Sequence, residues 1–179
     1  MQEPTVAGAL SPAEVAALLR TASEMVQAEI GALSQAQLIW RPAPDEWCIN
    51  EVIGHLIEAE RRGFAGRIRL ILEKDHPQFE PWDQPAVARE RGDCAHDGRT
   101  LLREFVRIRA ESLSLVEELR PDQLDRAGQH PVVGELRVRD LLHEWVFHDC
   151  AHIQQLLDNV KALIWPHMGN SRRFSRPEE

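Results

Sequence analysis

Four long stretches of the chain repeat apolar residues at helical spacing. The first is Pro12–Ala32, where Val15, Leu18, Leu19, Ala22, Met25, Val26 and Ile30 recur on one face. SPAE opens it, with Ser11 as N-cap, Pro12 at the first helical position and Glu14 closing a capping box. The second covers residues 49–74 and has a wide apolar face that includes Val52, Ile53, Leu56, Ile57, Phe64, Ile68 and Ile71. Gly63 and Gly66 weaken its middle by about 1 kcal/mol each, and allow a bend or a close helix contact. The third covers 98–119, built on Leu101, Leu102, Phe105, Val106, Ile108, Leu113, Leu115 and Val116, and Pro121 marks its stop. The fourth is Val138–Ile164, ended by Trp165 and Pro166. No run alternates convincingly with period two and no hairpin dipeptide is flanked by β-branched residues, so no strand is predicted.

Between the first two helices lies WRPAPDEW, where Pro42 and Pro44 block helix and Trp40 and Trp47 are expected to pack the loop onto the core. Residues 76–97 carry Pro77, Pro81, Pro85 and Gly92, with one short helix expected at 85–91. A connection that long is either a structured crossing or a functional lid. A second connection, 122–137, holds Pro131 and Gly134. The pattern predicts an all-α four-helix bundle with a long crossover between helices 2 and 3. The bundle domain is expected to span 11–169, between an N-terminal tail at 1–10 and a flexible C-terminal tail at 170–179.

Length and composition agree with one soluble domain: 179 residues, 43% hydrophobic and 28% charged. The net charge of -8 and the scattering of arginines among acids argue against a nucleic-acid partner. Arg172, Arg173 and Arg176 read as a solvated end. No apolar run is long enough for a membrane span, and MQEPTVAGAL lacks the features of a secretory signal. Cys48, Cys94 and Cys150 are widely spaced and odd in number, giving neither a disulfide framework nor a CxxC zinc motif. They read as small core residues, and a cytoplasmic location is the simplest expectation.

The candidate chemistry lies in HDCAHIQQLL. At 100° per residue His148 and His152 stand 40° apart on the fourth helix, at the flank of its apolar stripe and able to face one ion. His143 falls on the opposite, polar face and is excluded. On spacing alone, two histidines hydrogen-bonded near the core are the favoured reading. His55 changes the balance, because it is turned inward with Val52, Leu56 and Ala59 on the second helix. Three buried imidazoles are costly unless each finds a partner, and one divalent metal would serve all three. Three neutral nitrogens with an open position describe a catalytic-type site, and imidazole suits zinc, nickel, copper or iron. Glu144, one turn before His148, is a candidate oxygen ligand or base, or else a charge at the bundle edge. Asp149 in the apolar stripe either orients a histidine or makes a structural hydrogen bond. Glu58 and Glu60 read as surface or rim charges, while Arg67, Arg69 and Arg109 are the candidates for a basic pocket.

WRPAPDEWCINEVIGHLIEAE, GELRVRDLLHEWVFHDCAHIQQL and the final PHMG resemble the DinB/YfiT-like family of metal-binding four-helix bundles. The resemblance runs from about Ser11 to Gly169. It implies a metal site of His55, His148 and His152 holding nickel or zinc, and a homodimer. It also implies a small-molecule substrate, through either transfer or isomerisation with a low-molecular-weight thiol or metal-dependent hydrolysis. The alternative is a non-catalytic binding or stress-response module stapled by its metal. The chain departs from the family where a small hydroxyl residue is common, at Cys48 and Arg137.

Overall fold

The computed structural model describes residues 8–175. Its long helices are α1 (Pro12–Ala32), α2 (residues 49–73), α4 (Gly98–Glu117) and α5 (Val138–Ile164), with the short α3 (Gln84–Arg91) inside the crossover. Ser11 caps α1 as expected: its hydroxyl accepts the Glu14 N–H, and the Glu14 carboxylate accepts the Ser11 N–H at 2.8 Å. At Cys48 and Arg137 the missing hydroxyl is partly offset from the other side of the cap. Glu51 accepts the Cys48 N–H at 2.9 Å and Asp140 accepts the Arg137 N–H at 2.9 Å.

Each helix passes through two apolar clusters. One holds Leu19, Phe64, Ile68, Val116 and Trp145; the other holds Val26, Ile53, Leu56, Phe105 and Leu156. Helices α1 and α5 run from the first cluster to the second, while α2 and α4 run back. In cross-section α1 and α2 each touch α4 and α5 and stand diagonally apart. The α1–α2 and α4–α5 connections therefore stay at one end. Only the α2–α4 connection must travel the length of the bundle, roughly 30 Å for a 20-residue helix, which accounts for its length.

Between the apolar clusters lies a polar layer. Arg109 of α4 is 1% exposed, with Glu60 at 1% and Asp149 at 3%. Arg109 donates from Nε to Glu60, from Nη1 to Asp149 Oδ2 at 2.6 Å, and from Nη1 to the Leu19 carbonyl of α1 at 2.8 Å. Burial raises the carboxyl pKa of both Glu60 and Asp149 against the pull of Arg109. Burial also works against the Arg109 charge, but Asp149 and Glu60 outweigh it and raise its pKa.

Glu60 is thus a core residue and not a rim charge. So is Glu58, 5% exposed, which accepts Arg62 Nε at 2.6 Å and Arg91 Nη1 at 2.9 Å. On a helical wheel Glu60 already falls between Leu56 and Ile53, within the apolar face, and a π-helical turn, Ala59–Phe64, interrupts the middle of α2 at this level. The extra residue in that turn rotates side chains away from their positions on a regular wheel. Gly66 permits it: a Cβ there would stand 2.0 Å from the Arg61 carbonyl oxygen.

Two further expectations are corrected. A hairpin, β1 (Ala127–His130) and β2 (Gly134–Arg137), pairs antiparallel with Ala127 opposite Arg137. Gly134 turns it at φ 84°. The hairpin is four residues a side and short on β-branched residues, so period-two patterning does not reveal it. Second, Cys48 and Cys94 form a disulfide between the start of α2 and the turn after α3, so cysteine spacing no longer argues for a reducing compartment. Gly169–Phe174 forms 3₁₀ turns, and Arg172 donates to the Trp165 carbonyl at 2.8 Å and the Pro166 carbonyl at 2.6 Å. Residues 1–7 and 176–179, including Arg176, lie outside the described residues. No described helix is long and apolar enough to cross a membrane.

Two stability predictions follow. Arg109→Met leaves two buried carboxylates unpaired and is expected to cost about 3–5 kcal/mol in urea unfolding; a loss under about 1 kcal/mol would show that the layer contributes little. Reducing the Cys48–Cys94 bond frees a loop with a separation of 46 residues. Chain entropy then predicts a loss of up to about 4 kcal/mol, and an unchanged urea midpoint with reductant would contradict that.

Candidate metal centre

The polar layer continues to one side of Arg109 as imidazole. His148 and His152 face α2 from α5, and His55 meets them from α2. One ring nitrogen of each lies within 4.8 Å of the others. His55 Nε2 and His148 Nε2 are 3.0 Å apart, and the His152 ring centre is 4.4 Å from each of the other two. Two nitrogens bound to one zinc-like ion at 2.0–2.1 Å stand roughly 2.8–3.4 Å apart for bond angles between 90° and 109°. The nearest pair therefore fits a shared ion.

The tautomers fit as well. His152 Nδ1 lies 2.9 Å from Gln155 Oε1. An amide oxygen only accepts, so Nδ1 carries the proton and Nε2 keeps its lone pair for the cluster. His148 Nδ1 is buried without a partner. His143, excluded on the wheel, is occupied elsewhere: Nδ1 donates to the Arg139 carbonyl at 2.7 Å and Nε2 accepts the Leu10 N–H at 2.9 Å.

The surroundings favour neutral rings. Trp47 and Trp82 flank His55 at ring-centre distances of 5.2 and 6.0 Å, and Phe64 meets His148 edge-on at 5.1 Å. Burial, followed by the neighbouring His152, lowers the His55 pKa to about 4. Burial again leads for His148, with His152, His55 and Arg109 adding repulsion, and lowers it to about 3. Rings that refuse protons while keeping lone pairs turned together are what a divalent ion requires.

The remaining candidates divide. Asp149 points into the core and accepts from Arg109, so of its two readings the structural hydrogen bond holds. Glu144 is exposed and lines the same cavity as His148. Arg109 is consumed by Glu60 and Asp149, and Arg69 is exposed. Arg67 alone of the three candidate arginines lines that cavity.

Two hollows adjoin the cluster. A cavity of about 650 Å³ reaches His148 and is walled by Phe64, Trp82 and Leu136, with Val132 and Val133 from the hairpin tip. The other, about 710 Å³, reaches His152 and has a mostly polar wall with Asp45, Glu46 and Asp158. The first has the aromatic and apolar walls typical of a small-molecule site. Sequence reasoning missed Trp82 and Gln155. Gln155 sits three residues after His152, a spacing that signals a helical neighbour. Trp82 carries only a weak sign, a bulky residue among Pro81 and Pro85.

A model of the DinB superfamily matches residues 17–156. Among curated relatives, the uncharacterized protein YuaE of Bacillus subtilis is 28% identical over 141 residues, covering 72% of this chain and 86% of YuaE. Among solved structures, YfiT from Bacillus subtilis, described as a probable metal-dependent hydrolase with an unusual four-helix bundle topology, aligns with a TM-score of 0.78. That alignment covers 91% of this chain and 93% of YfiT at 16% identity. A mycothiol-dependent maleylpyruvate isomerase aligns with a TM-score of 0.65 and 11% identity, over 82% of this chain and 61% of the isomerase. At these identities the two structures speak for the fold.

The lowered histidine pKa values set a stability window. Unfolded imidazoles titrate near 6.5, whereas His55 and His148 take up protons near 4 and 3 when folded. Their contribution is complete above pH 6.5 and is lost as pH falls, by up to about 1.4 kcal/mol per pH unit and ring. Chelator-treated protein should therefore lose stability between pH 6.5 and 5, before most carboxylates titrate, and His55→Ala should flatten the slope. A flat urea midpoint over that range would contradict the burial of these rings.

Proposed function

The chain belongs to the DinB superfamily, and on that premise we propose that it is a metal-dependent enzyme, a hydrolase by preference, acting on a small molecule. In this reading His55, His148 and His152 hold a divalent ion, nickel or zinc. The observation that carries the proposal is that the imidazole cluster is not sealed in the core: His148 lines the cavity walled by Phe64, Trp82 and Leu136, and His152 lines the second hollow. A structural staple closes its coordination shell with protein, whereas a catalytic site keeps a position open toward substrate.

When bound, such an ion supplies Lewis acidity, polarising a carbonyl and lowering the pKa of a water or thiol. The chain's own residues supply the rest. Gln155 orients His152 through its Nδ1. Phe64, Trp47 and Trp82 pack against the His55 and His148 rings and hold them in place. Glu144, one turn before His148, lines the cavity wall and in this reading takes a proton from a nucleophile and returns it to a leaving group. A thiol-dependent transfer is the second reading: the same cavity would hold the thiol, and the likeness to the mycothiol-dependent isomerase fold supports it.

Protein purified without a histidine tag is expected to hold, or take up on adding nickel or zinc, about one equivalent of metal, and His148→Ala to abolish it. Less than about a tenth of an equivalent after reconstitution would overturn the reading. In metal-loaded protein Glu144→Gln should leave the metal content alone and slow ester or amide cleavage by about 10²–10⁴-fold. Unchanged kcat would remove Glu144 from the reaction.

A further inference from the structure

Arg67 lies on α2, beyond the π turn, and lines the cavity that reaches His148. Its guanidinium carbon stands 5.5 Å from the centre of the Phe79 ring, which supports one face of the fork. Phe79 is itself fixed. Its N–H donates to the Gln129 carbonyl at 2.8 Å, and Gly128 makes room for its ring, because a Cβ there would stand 2.4 Å from it. Crossover and hairpin together thus hold Arg67 in place.

The fork nevertheless has no anion. Among the described residues no carboxylate lies within ion-pair distance of Arg67, and its Nε is buried without a hydrogen-bond partner. Arg61, Arg62, Arg91 and Arg109, by contrast, all find carboxylates. Burial alone acts on the Arg67 pKa and lowers it. A desolvated donor with no acceptor is a standing cost that a bound anion would remove.

The other walls say what kind of anion fits. Phe64, Trp82 and Leu136 are apolar, and Asp140 and Glu144 on α5 carry negative charge. One negative group is welcome at the fork; a polyanion would meet the two acids. We propose that this cavity binds an amphipathic monocarboxylate. Its carboxylate lies on the Arg67 fork, its apolar body against Phe64, Trp82 and Leu136, and its reacting group toward His148. The planar fork offers the bidentate geometry that carboxylates accept. Arg67 acts here in specificity and positioning. The proposal rests on the enzymatic reading for the role of the His148 end, but not for the carboxylate itself.

The test uses phenylbutyrate and its neutral analogue phenylbutanamide as probes, on chelator-treated protein so that no metal can take the carboxylate. Titration is followed by calorimetry and by the quenching of tryptophan fluorescence. The wild type is expected to bind the acid at least about tenfold more tightly than the amide. Arg67→Met should erase that difference, Arg67→Lys should retain part of it, and Arg69→Met, on the exposed side of α2, should keep it whole. Melting curves check that the variants fold; should Arg67→Met fail to, Arg67→Lys carries the comparison. No binding of the acid, equal affinity for acid and amide, or an Arg67 variant that matches the wild type would each overturn the proposal. Arg67-dependent binding in a protein that takes up no metal would sink the enzymatic reading and leave this one standing. Metal uptake without it would do the reverse.

Discussion

One guanidinium in the middle of the bundle reaches all four long helices. Arg109 belongs to α4, and it donates to Glu60 of α2, Asp149 of α5 and the Leu19 carbonyl of α1. Opposite charges at hydrogen-bond distance are what make a buried charge tolerable, here with Nη2 of Arg109 alone among its nitrogens left unpartnered by the described residues, and breaking one partner strands the others. The requirement fixes the relative height of the helices more sharply than the apolar contacts above and below, which tolerate sliding and repacking. It also orients the imidazole cluster, because Asp149 immediately follows His148 and its tie to Arg109 determines which way that turn of α5 faces.

The interruption of α2 lies at the level of the same layer. Glu60 faces inward to meet Arg109, while His55 faces α5, a division that the helical wheel already gives. The π turn at Ala59–Phe64 falls between these contacts and the second half of the helix, and Gly66 leaves the space it needs. The crossover is then tied to this turn from outside. Arg91 bridges Glu58 and Asp93, and the disulfide holds Cys94 to the head of α2. Trp82 is thereby carried over His55, so the connection that must traverse the bundle also roofs the site.

Sequence patterning reached the helices closely, and for a physical reason. A long amphipathic helix advertises its buried face every three to four residues, and its caps and prolines are local. The spans Pro12–Ala32 and Val138–Ile164 coincide with the observed helices. His55, His148 and His152 were legible as candidates because each sits on such a face, and the fold brings them together. Glu58 and Glu60 were misread because their partners, Arg91 of the crossover and Arg109 of α4, stand far from them in the chain and meet them only once the bundle packs.

The amino-acid sequence by itself determined the four helices, the long crossover and the three inward histidines, since these depend on periodicity and capping within a few residues. Only the tertiary structure decided the partners: which carboxylates meet Arg109, that Cys48 meets Cys94, that Trp82 covers His55 and that Arg67 meets none of the described ones. Those pairings join residues far apart in the chain, and nothing in the local pattern records who will stand opposite whom once the helices pack.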